Sequence, residues 1–284
     1  MHDLRTFPEL KKEDFEEPRC LLDMRSGLKD APVYTVPMGR IIEKLDEHLS
    51  RDDWQTAEQH LNYWLADAES GGDKKGALAI EEERMGLFRK RGREKEAMQA
   101  VRHALELLKE SGMEESISGA TAFVNIATVY KSFSQAEKSL PYYEKARRLY
   151  EAHLQADDSR LGGLYNNTAL ALTDVGRFDE ARVMYEKALS VMALVPGGEL
   201  EAAVTKLNLA DLDAAEKGAE AAEESIHALL EEARALLDTP SLPRNGYYAY
   251  VCTSCAPTFE YYGWFADAAE LRETARRIYA GEAQ

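Results

Sequence analysis

Residues 164–189 read LYNNTALALTDVGRFDEARVMYEKAL, and this stretch decides the fold. Apolar side chains recur in it at intervals of three and four residues, which is the period of one helix face. The first helix of the pattern carries Leu164, Tyr165, Thr168, Ala169 and Leu172, and the second carries Ala181, Met184, Tyr185, Ala188 and Leu189. Gly176 stands between them, where a helix often ends on a left-handed residue. The stretch therefore predicts two amphipathic helices that form an antiparallel hairpin.

The same pattern occurs earlier in the chain at intervals of 42 residues. The corresponding positions are Gly92 and Ala97, then Ser134 and Ser139, then Gly176 and Ala181. Serine replaces both small residues in the middle copy. A fixed period of this size is typical of stacked helical repeats, in which each unit buries its apolar face against its neighbours.

Weaker copies extend the pattern in both directions. The predicted hairpins cover approximately residues 38–70, 77–112, 119–155, 161–195, 200–238 and 246–281. The predicted fold class is therefore all-α, a superhelical solenoid of about six antiparallel hairpins. We expect residues 37–284 to form this repeat domain. Residues 1–36 contain three prolines without sustained periodicity, and form either a disordered arm or, as we favour, an extension that is partly ordered or docked on the first repeats.

The charge of the chain restricts its partners. It has 35 basic and 51 acidic side chains, for a formal net charge of −16. Nucleic acid and anionic membrane surfaces repel such a chain, so neither is a predicted partner. Acidic runs such as Glu81-Glu82-Glu83 could attract basic partners, although a solvated helix face is the simpler interpretation.

Other features of the sequence favour a cytoplasmic location. The N-terminus lacks a signal-peptide core, and the apolar runs are shorter than a membrane span. Three cysteines give an odd count and no disulfide framework, which is typical of a reducing compartment.

The repeat resembles the tetratricopeptide repeat, whose pattern places aromatic, small and glycine residues at fixed offsets. The matching residues are Tyr165, Ala169, Leu172, Gly176, Ala181, Tyr185 and Ala188, and in the preceding unit Phe123, Ile126, Ala127, Tyr130, Tyr143 and Ala146. The period of 42 and the segment Tyr165-Asn166-Asn167-Thr168-Ala169 are similar to the variant found in kinesin light chain. This resemblance implies a right-handed superhelix whose first helices line a concave groove.

The resemblance also implies candidate groove residues. They are Asn125, Thr128, Lys131, Asn166, Asn167, Leu170, Asn208, Asp211, Tyr250 and Tyr261. The asparagines are the principal candidates, because one amide both donates to and accepts from a peptide backbone. The alternative is that the asparagines bridge neighbouring helices within the array.

The last repeat is rich in aromatic residues and contains Pro257, which we expect to kink or shorten its helix. Exposed aromatic side chains serve as interface anchors, as an end cap or as a homodimer contact, and the sequence does not distinguish these roles.

Cys252 and Cys255 form the one motif that suggests chemistry. A structural zinc site needs a second pair of ligands, and the chain has no such pair. Both cysteines fall at core-facing positions of the repeat, so we expect buried thiols. We predict no metal, no cofactor and no catalysis.

The predicted function is a non-catalytic scaffold that binds a protein or peptide in the groove. Two alternatives remain open. One is a bacterial regulator that changes conformation when it senses a peptide, and the other is a metal or redox protein that uses Cys252 and Cys255.

Overall fold

The computed structural model describes residues 34–282, which contain twelve α-helices and no strand. The helices are α1 (Met38–Ser50), α2 (Trp54–Gly71), α3 (Lys74–Lys90), α4 (Glu94–Ser111), α5 (Ile117–Ser132), α6 (Ala136–His153), α7 (Ser159–Asp174), α8 (Phe178–Met192), α9 (Glu199–Lys217), α10 (Glu223–Leu237), α11 (Gly246–Tyr261) and α12 (Phe265–Tyr279). Each odd-numbered helix packs against the next even-numbered helix, which gives six hairpins. The predicted all-α hairpin solenoid is confirmed. No helix in this range is long and apolar enough to cross a bilayer.

The turn inside each hairpin depends on a left-handed residue. Gly176 has φ 74°, and Arg177 N donates to the Leu172 carbonyl at 2.9 Å. In the preceding hairpin Ser134 has φ 58°, and Gln135 N donates to the Tyr130 carbonyl at 2.9 Å. Serine therefore adopts the backbone conformation that glycine occupies in the other copy, although its Cβ makes this conformation less favourable.

Small and aromatic side chains alternate inside the hairpins. Ala181 and Ala188 are fully buried, and so are Tyr143 and Tyr185, which occupy corresponding positions in consecutive second helices. The alanines let the backbones approach closely and the tyrosine rings fill the space between the layers, because a helix interface packs at crystal-like density. The core therefore runs continuously along the array.

The packing between hairpins determines which helices form the inner, concave side of the stack. We call the odd-numbered helices first helices and the even-numbered ones second helices. The first helices pack in the series α3, α5, α7, α9 and α11, whereas successive second helices in the described range show no comparable packing. Helices that remain in contact lie on the shorter radius of a curved stack, so the first helices form its inner side.

The start of the described chain is tied to the second hairpin. Val36 is buried, and its N–H donates to Asp73 Oδ2 at 2.9 Å. The other oxygen, Asp73 Oδ1, accepts from Gly76 N at 2.9 Å and caps α3. One carboxylate thus begins a helix and holds residues 34–36 against it. The proposed docking of residues 1–33 lies outside the described residues.

The predicted shortening at Pro257 does not occur, since α11 continues through it to Tyr261. Proline removes the hydrogen bond that would reach the Thr253 carbonyl. Thr253 and Pro257 are both exposed, so solvent can satisfy this carbonyl and the helix tolerates the proline.

Candidate peptide-binding groove

The inner face is a partly exposed stripe that repeats from one first helix to the next. On α5 it comprises Ser118, Thr121, Asn125, Thr128 and Ser132, and on α7 it comprises residues 160, 163, 167, 170 and 174, each 42 positions later. We use the term inner face for this stripe and for the corresponding positions on α3, α9 and α11, although on α9 three of these positions, Thr205, Leu209 and Leu212, are buried. We use the term joint for the contact between two neighbouring first helices.

The four candidate asparagines lie in two different rows. One row of corresponding positions holds Glu82, Val124, Asn166 and Asn208 on α3, α5, α7 and α9. The next row holds Glu83, Asn125, Asn167 and Leu209. The asparagines therefore do not form one set, because the one-residue offset between the rows gives them different surroundings.

Asn166 and Asn208 bridge the joint between α7 and α9. Asn208 Nδ2 donates to Asn166 Oδ1 at 3.0 Å, and the hydroxyl of Thr205 donates to the same oxygen at 3.2 Å. Thr205 is buried, and its one hydroxyl proton is shared between Asn166 Oδ1 and the Glu201 carbonyl, which lies 2.9 Å away. For Asn166 and Asn208, the asparagines therefore bridge neighbouring helices within the array, which was the alternative to groove contact.

Asn125 and Asn167 are different. Both are half-buried on the inner face, and neither amide forms a hydrogen bond within residues 34–282. They occupy corresponding positions on α5 and α7, which pack together. Each amide therefore presents an unused donor and an unused acceptor to the groove.

Three further candidates contact the scaffold. The Thr128 hydroxyl donates to the Val124 carbonyl at 2.8 Å and lies 3.1 Å from the Tyr143 hydroxyl. Lys131 Nζ lies 3.5 Å from Asp174 Oδ2 across the joint between α5 and α7. Leu170 packs against the core beneath α7 and is partly exposed. Lys131 and Asp174 are both at least a quarter exposed, so this ion pair contributes little stability.

The joint between α9 and α11 pairs acidic residues with tyrosines. The Tyr262 hydroxyl donates to Asp211 Oδ1 at 2.9 Å, and the Tyr247 hydroxyl donates to Glu201 Oε1. Burial raises the pKa of Asp211, against the opposing effect of the Tyr262 hydrogen bond. Burial also raises the pKa of Glu201. Asp211 is therefore already engaged with the scaffold.

Tyr250 and Tyr261 have side chains that are 61% and 76% exposed on α11. Tyr247 is also exposed, and its ring stacks on Tyr250 with centroids 6.3 Å apart. Phe265 at the start of α12 is 67% exposed. The last hairpin thus presents several aromatic rings to solvent, which is the composition of an interface anchor.

Cys252 and Cys255 are free thiols buried in the core of the last hairpin, as the sequence predicts. Burial raises the pKa of both thiols, and that of Cys255 reaches about 12. A thiol with a raised pKa is protonated at neutral pH and is a weak nucleophile and metal ligand. Among the described residues, no three His, Cys, Asp or Glu side chains are grouped to hold a metal ion.

Consecutive glutamates on α3 have different environments, which their charge pattern does not indicate. Glu81 is 1% exposed, so the interpretation of this run as a solvated face is wrong for it. Its Oε1 accepts from Arg84 NH1 at 2.6 Å and lies 2.7 Å from His103 Nδ1. Glu82 points instead into a pocket at the joint between α3 and α5. Its correspondence with Asn166 in the repeat register was the available signal.

A curved stack of helical hairpins with unpaired polar groups on its inner face defines the class of helical-repeat proteins. Comparisons with known proteins show what this chain is similar to. The tetratricopeptide-repeat profile matches residues 162–193, which cover most of α7 and all of α8. The matched unit is a tetratricopeptide repeat, and the chain is similar to repeat proteins of the kinesin-light-chain type. Such repeats are typically non-catalytic and mediate protein–protein interaction.

Relatives of known sequence and structure agree with this assignment. The Arabidopsis thaliana protein named kinesin light chain-related 3 is 29% identical over 115 residues, which cover 39% of this chain and 18% of that relative. The crystal structure of BtubC (BKLC) from P. vanneervenii superposes with a TM-score of 0.62 at 23% identity and covers 73% of this chain and 84% of its own. A kinesin-light-chain candidate of Podosopora anserina with nearly identical TPR-like repeats gives 0.52 at 17% identity, with coverages of 72% and 95%. These two structures show the shared fold.

Proposed function

We propose that this protein is a non-catalytic scaffold that binds an extended protein or peptide segment along its inner face. The observation that carries the proposal is the pair Asn125 and Asn167, which stand in register on packed helices with unused amide groups. An extended backbone offers alternating N–H and C=O groups, and a side-chain amide can pair with either of them. Such contacts bind a segment without requiring one particular sequence.

The exposed rings of the last hairpin extend the proposed surface. Tyr250 and Tyr261 lie on the inner face of α11, where they can pack against apolar side chains of the same segment. The same aromatic surface supports a second possible use, a contact between two copies of this chain, which sedimentation of the purified protein at several concentrations tests directly. We propose a cytoplasmic location, supported by the free thiols of Cys252 and Cys255.

The test begins with peptides selected by the immobilised full chain from a displayed random library. The peptides are then resynthesised, and their affinities are measured for the wild type and for a double variant, Asn125→Ala with Asn167→Ala. We expect the double variant to bind about tenfold more weakly, because about 1.4 kcal/mol corresponds to one lost set of amide contacts.

A matched control removes two amides that lie elsewhere. Gln55 and Gln155 are exposed, and their side-chain amides form no hydrogen bond within the described residues. The double variant Gln55→Ala with Gln155→Ala therefore removes two amides without touching the inner face. This control should bind the selected peptides as the wild type does. Equal affinities for the wild type and the Asn125/Asn167 variant, with both folded, would exclude these amides from the binding surface.

A further inference from the structure

The joint between α3 and α5 contains a pocket of about 320 Å³. Leu78 and Met113 supply apolar surface, and Lys75 also lines the pocket. The remaining polar groups are Glu82 and the hydroxyls of Ser116, Ser118 and Thr121. Leu78 and Met113 are buried, whereas Glu82 is half-buried and remains accessible from the pocket. The pocket thus combines an apolar wall with one carboxylate.

Glu82 has no donor within residues 34–282, where its carboxylate forms neither a hydrogen bond nor an ion pair. The Thr121 hydroxyl is occupied, since it donates to the Ile117 carbonyl at 3.1 Å and lies 2.7 Å from the Tyr150 hydroxyl. The next candidate donor is absent because Val124 takes the place that Asn208 has in the joint between α7 and α9. Lys75 lies seven residues before Glu82 on α3 and forms no ion pair with it.

Each of the other joints contains an acidic or amide oxygen that is paired. Asn166 accepts from Thr205 and Asn208, Asp174 lies beside Lys131, and Asp211 and Glu201 accept from tyrosine hydroxyls. The scaffold thus supplies a donor at three successive joints and leaves the carboxylate of the remaining joint for a donor from outside.

The electrostatic environment of Glu82 favours a cationic donor. Burial, and after it the neighbouring Glu83, raise the pKa of Glu82 to about 8. Burial and Asp46 raise the pKa of Glu83 as well. Lys90 opposes the shift of Glu83, whereas no positive charge opposes that of Glu82. Glu82 therefore holds a proton at neutral pH when the pocket is empty, and a cation that binds there would replace this proton and restore the carboxylate.

We propose that this pocket receives a lysine or arginine side chain of the bound segment, with its aliphatic stem along Leu78 and Met113 and its charged head on the Glu82 carboxylate. Long basic side chains commonly bury their stems on apolar surface and keep the charge at a polar group. The formal net charge of −16 draws such a segment toward the protein. This inference rests on the proposed use of the inner face and adds the chemistry of one contact.

The test uses a fluorescent peptide of alternating lysine and alanine and an otherwise identical peptide with acetylated lysines. Fluorescence anisotropy is measured with the full chain at about physiological ionic strength, where diffuse attraction between exposed charges is largely screened. The wild type should bind the lysine peptide at least about tenfold more tightly than the acetylated peptide. Lack of such a preference would overturn the proposal.

Three variants locate the contact. Glu82→Gln should weaken binding of the lysine peptide by about tenfold, since it removes a charge-assisted hydrogen bond. Val124→Asn should weaken it severalfold, because the new amide can donate to Glu82 as Asn208 does to Asn166. Glu186→Gln removes the same charge from an exposed site on α8 and should change the affinity by less than about twofold.

Equal losses in Glu82→Gln and Glu186→Gln would show that only net charge matters and would also overturn the proposal. Circular dichroism melts confirm that each variant is folded. This test and the amide test can fail independently. If the Asn125/Asn167 variant binds peptides as the wild type does while Glu82→Gln still binds the lysine peptide more weakly, only the proposed backbone contacts are rejected.

Discussion

The joints between α7 and α9 and between α3 and α5 use the same repeat positions with different side chains. At the first, Asn166 accepts from Asn208 and Thr205 on the neighbouring helix. At the second, the corresponding positions hold Glu82 and Val124, and the carboxylate faces a pocket. The helices occupy equivalent places in the array, so two substitutions are enough to turn a structural contact into an unsatisfied acceptor. A repeat fold preserves positions, and the side chains at those positions decide whether a joint holds the array or faces a ligand.

The largest expected effect comes from breaking the hydrogen bond between Asn166 and Asn208. We call the joint between α7 and α9, which this bond holds, the closed joint, and the joint between α3 and α5, where Glu82 has no donor, the open joint. Asn208→Val gives α9 the residue that α5 has at Val124, and it leaves Asn166 with the Thr205 hydroxyl as its donor. We expect the free energy of unfolding to fall by about 2 kcal/mol, because the partly buried Asn166 oxygen loses its amide donor and keeps only a hydroxyl that also serves the Glu201 carbonyl. Urea denaturation measures this change.

A double-mutant cycle with Asn166→Ala provides the control for this prediction. The two substitutions should be less costly together than the sum of their separate effects, by about 1 kcal/mol, since residues in one hydrogen-bond network couple. Strict additivity would mean that the bond between the two amides does not stabilise the joint.

The open joint should give the protein a distinctive pH dependence. Glu82 has a folded pKa of about 8 against an ordinary value of 4.5, so between these values the folded chain holds a proton that the unfolded chain releases. Its contribution to stability is therefore full below about pH 4.5 and is lost as the pH rises through about 8. The groups that face Glu82 are Glu83 and Lys75 on α3 and Tyr150 on α6.

Glu82→Gln removes this titration. The stability of the variant relative to the wild type should increase by about 1–2 kcal/mol between about pH 5 and pH 9, a range that allows for the partial exposure of the carboxyl. Chemical denaturation at both pH values measures it, with Glu186→Gln as the control. A difference that stays constant across this range would show that Glu82 titrates as an exposed glutamate does.

The sequence was sufficient for the fold because its main determinants are local and repeated. Gly176, Ala181 and Tyr185 each specify a turn, a close approach or a filled space, and their copies fix the period. The sequence was less informative about the groove. The offset between Asn125 and Asn166 can be read from the register, but the pairing of Asn166 with Asn208 depends on how far apart α7 and α9 lie.

The glutamates of α3 show the same limit. Successive residues of a helix point about 100° apart, so Glu81 and Glu82 face different neighbours when α2, α4 and α5 all pack on α3. A run of like charges indicates an exposed face only where one side of the helix is covered. The burial of Glu81 and the pocket at Glu82 therefore follow from the stacking of hairpins around α3, which the charge pattern does not encode.

The smallest expected effect concerns the turns, and it separates stability from binding. Ser134→Gly removes the Cβ from a residue with φ 58° and should stabilise the protein by about 0.5–1 kcal/mol, whereas Gly176→Ser should destabilise it by a similar amount. Thermal unfolding measures both changes. Neither turn touches Glu82, so the affinity for the lysine peptide should remain unchanged in both folded variants. The affinity for the lysine peptide could instead rise in Ser134→Gly and fall in Gly176→Ser, in parallel with stability. Binding would then depend on the rigidity of the whole array and not on a local contact with the Glu82 carboxylate.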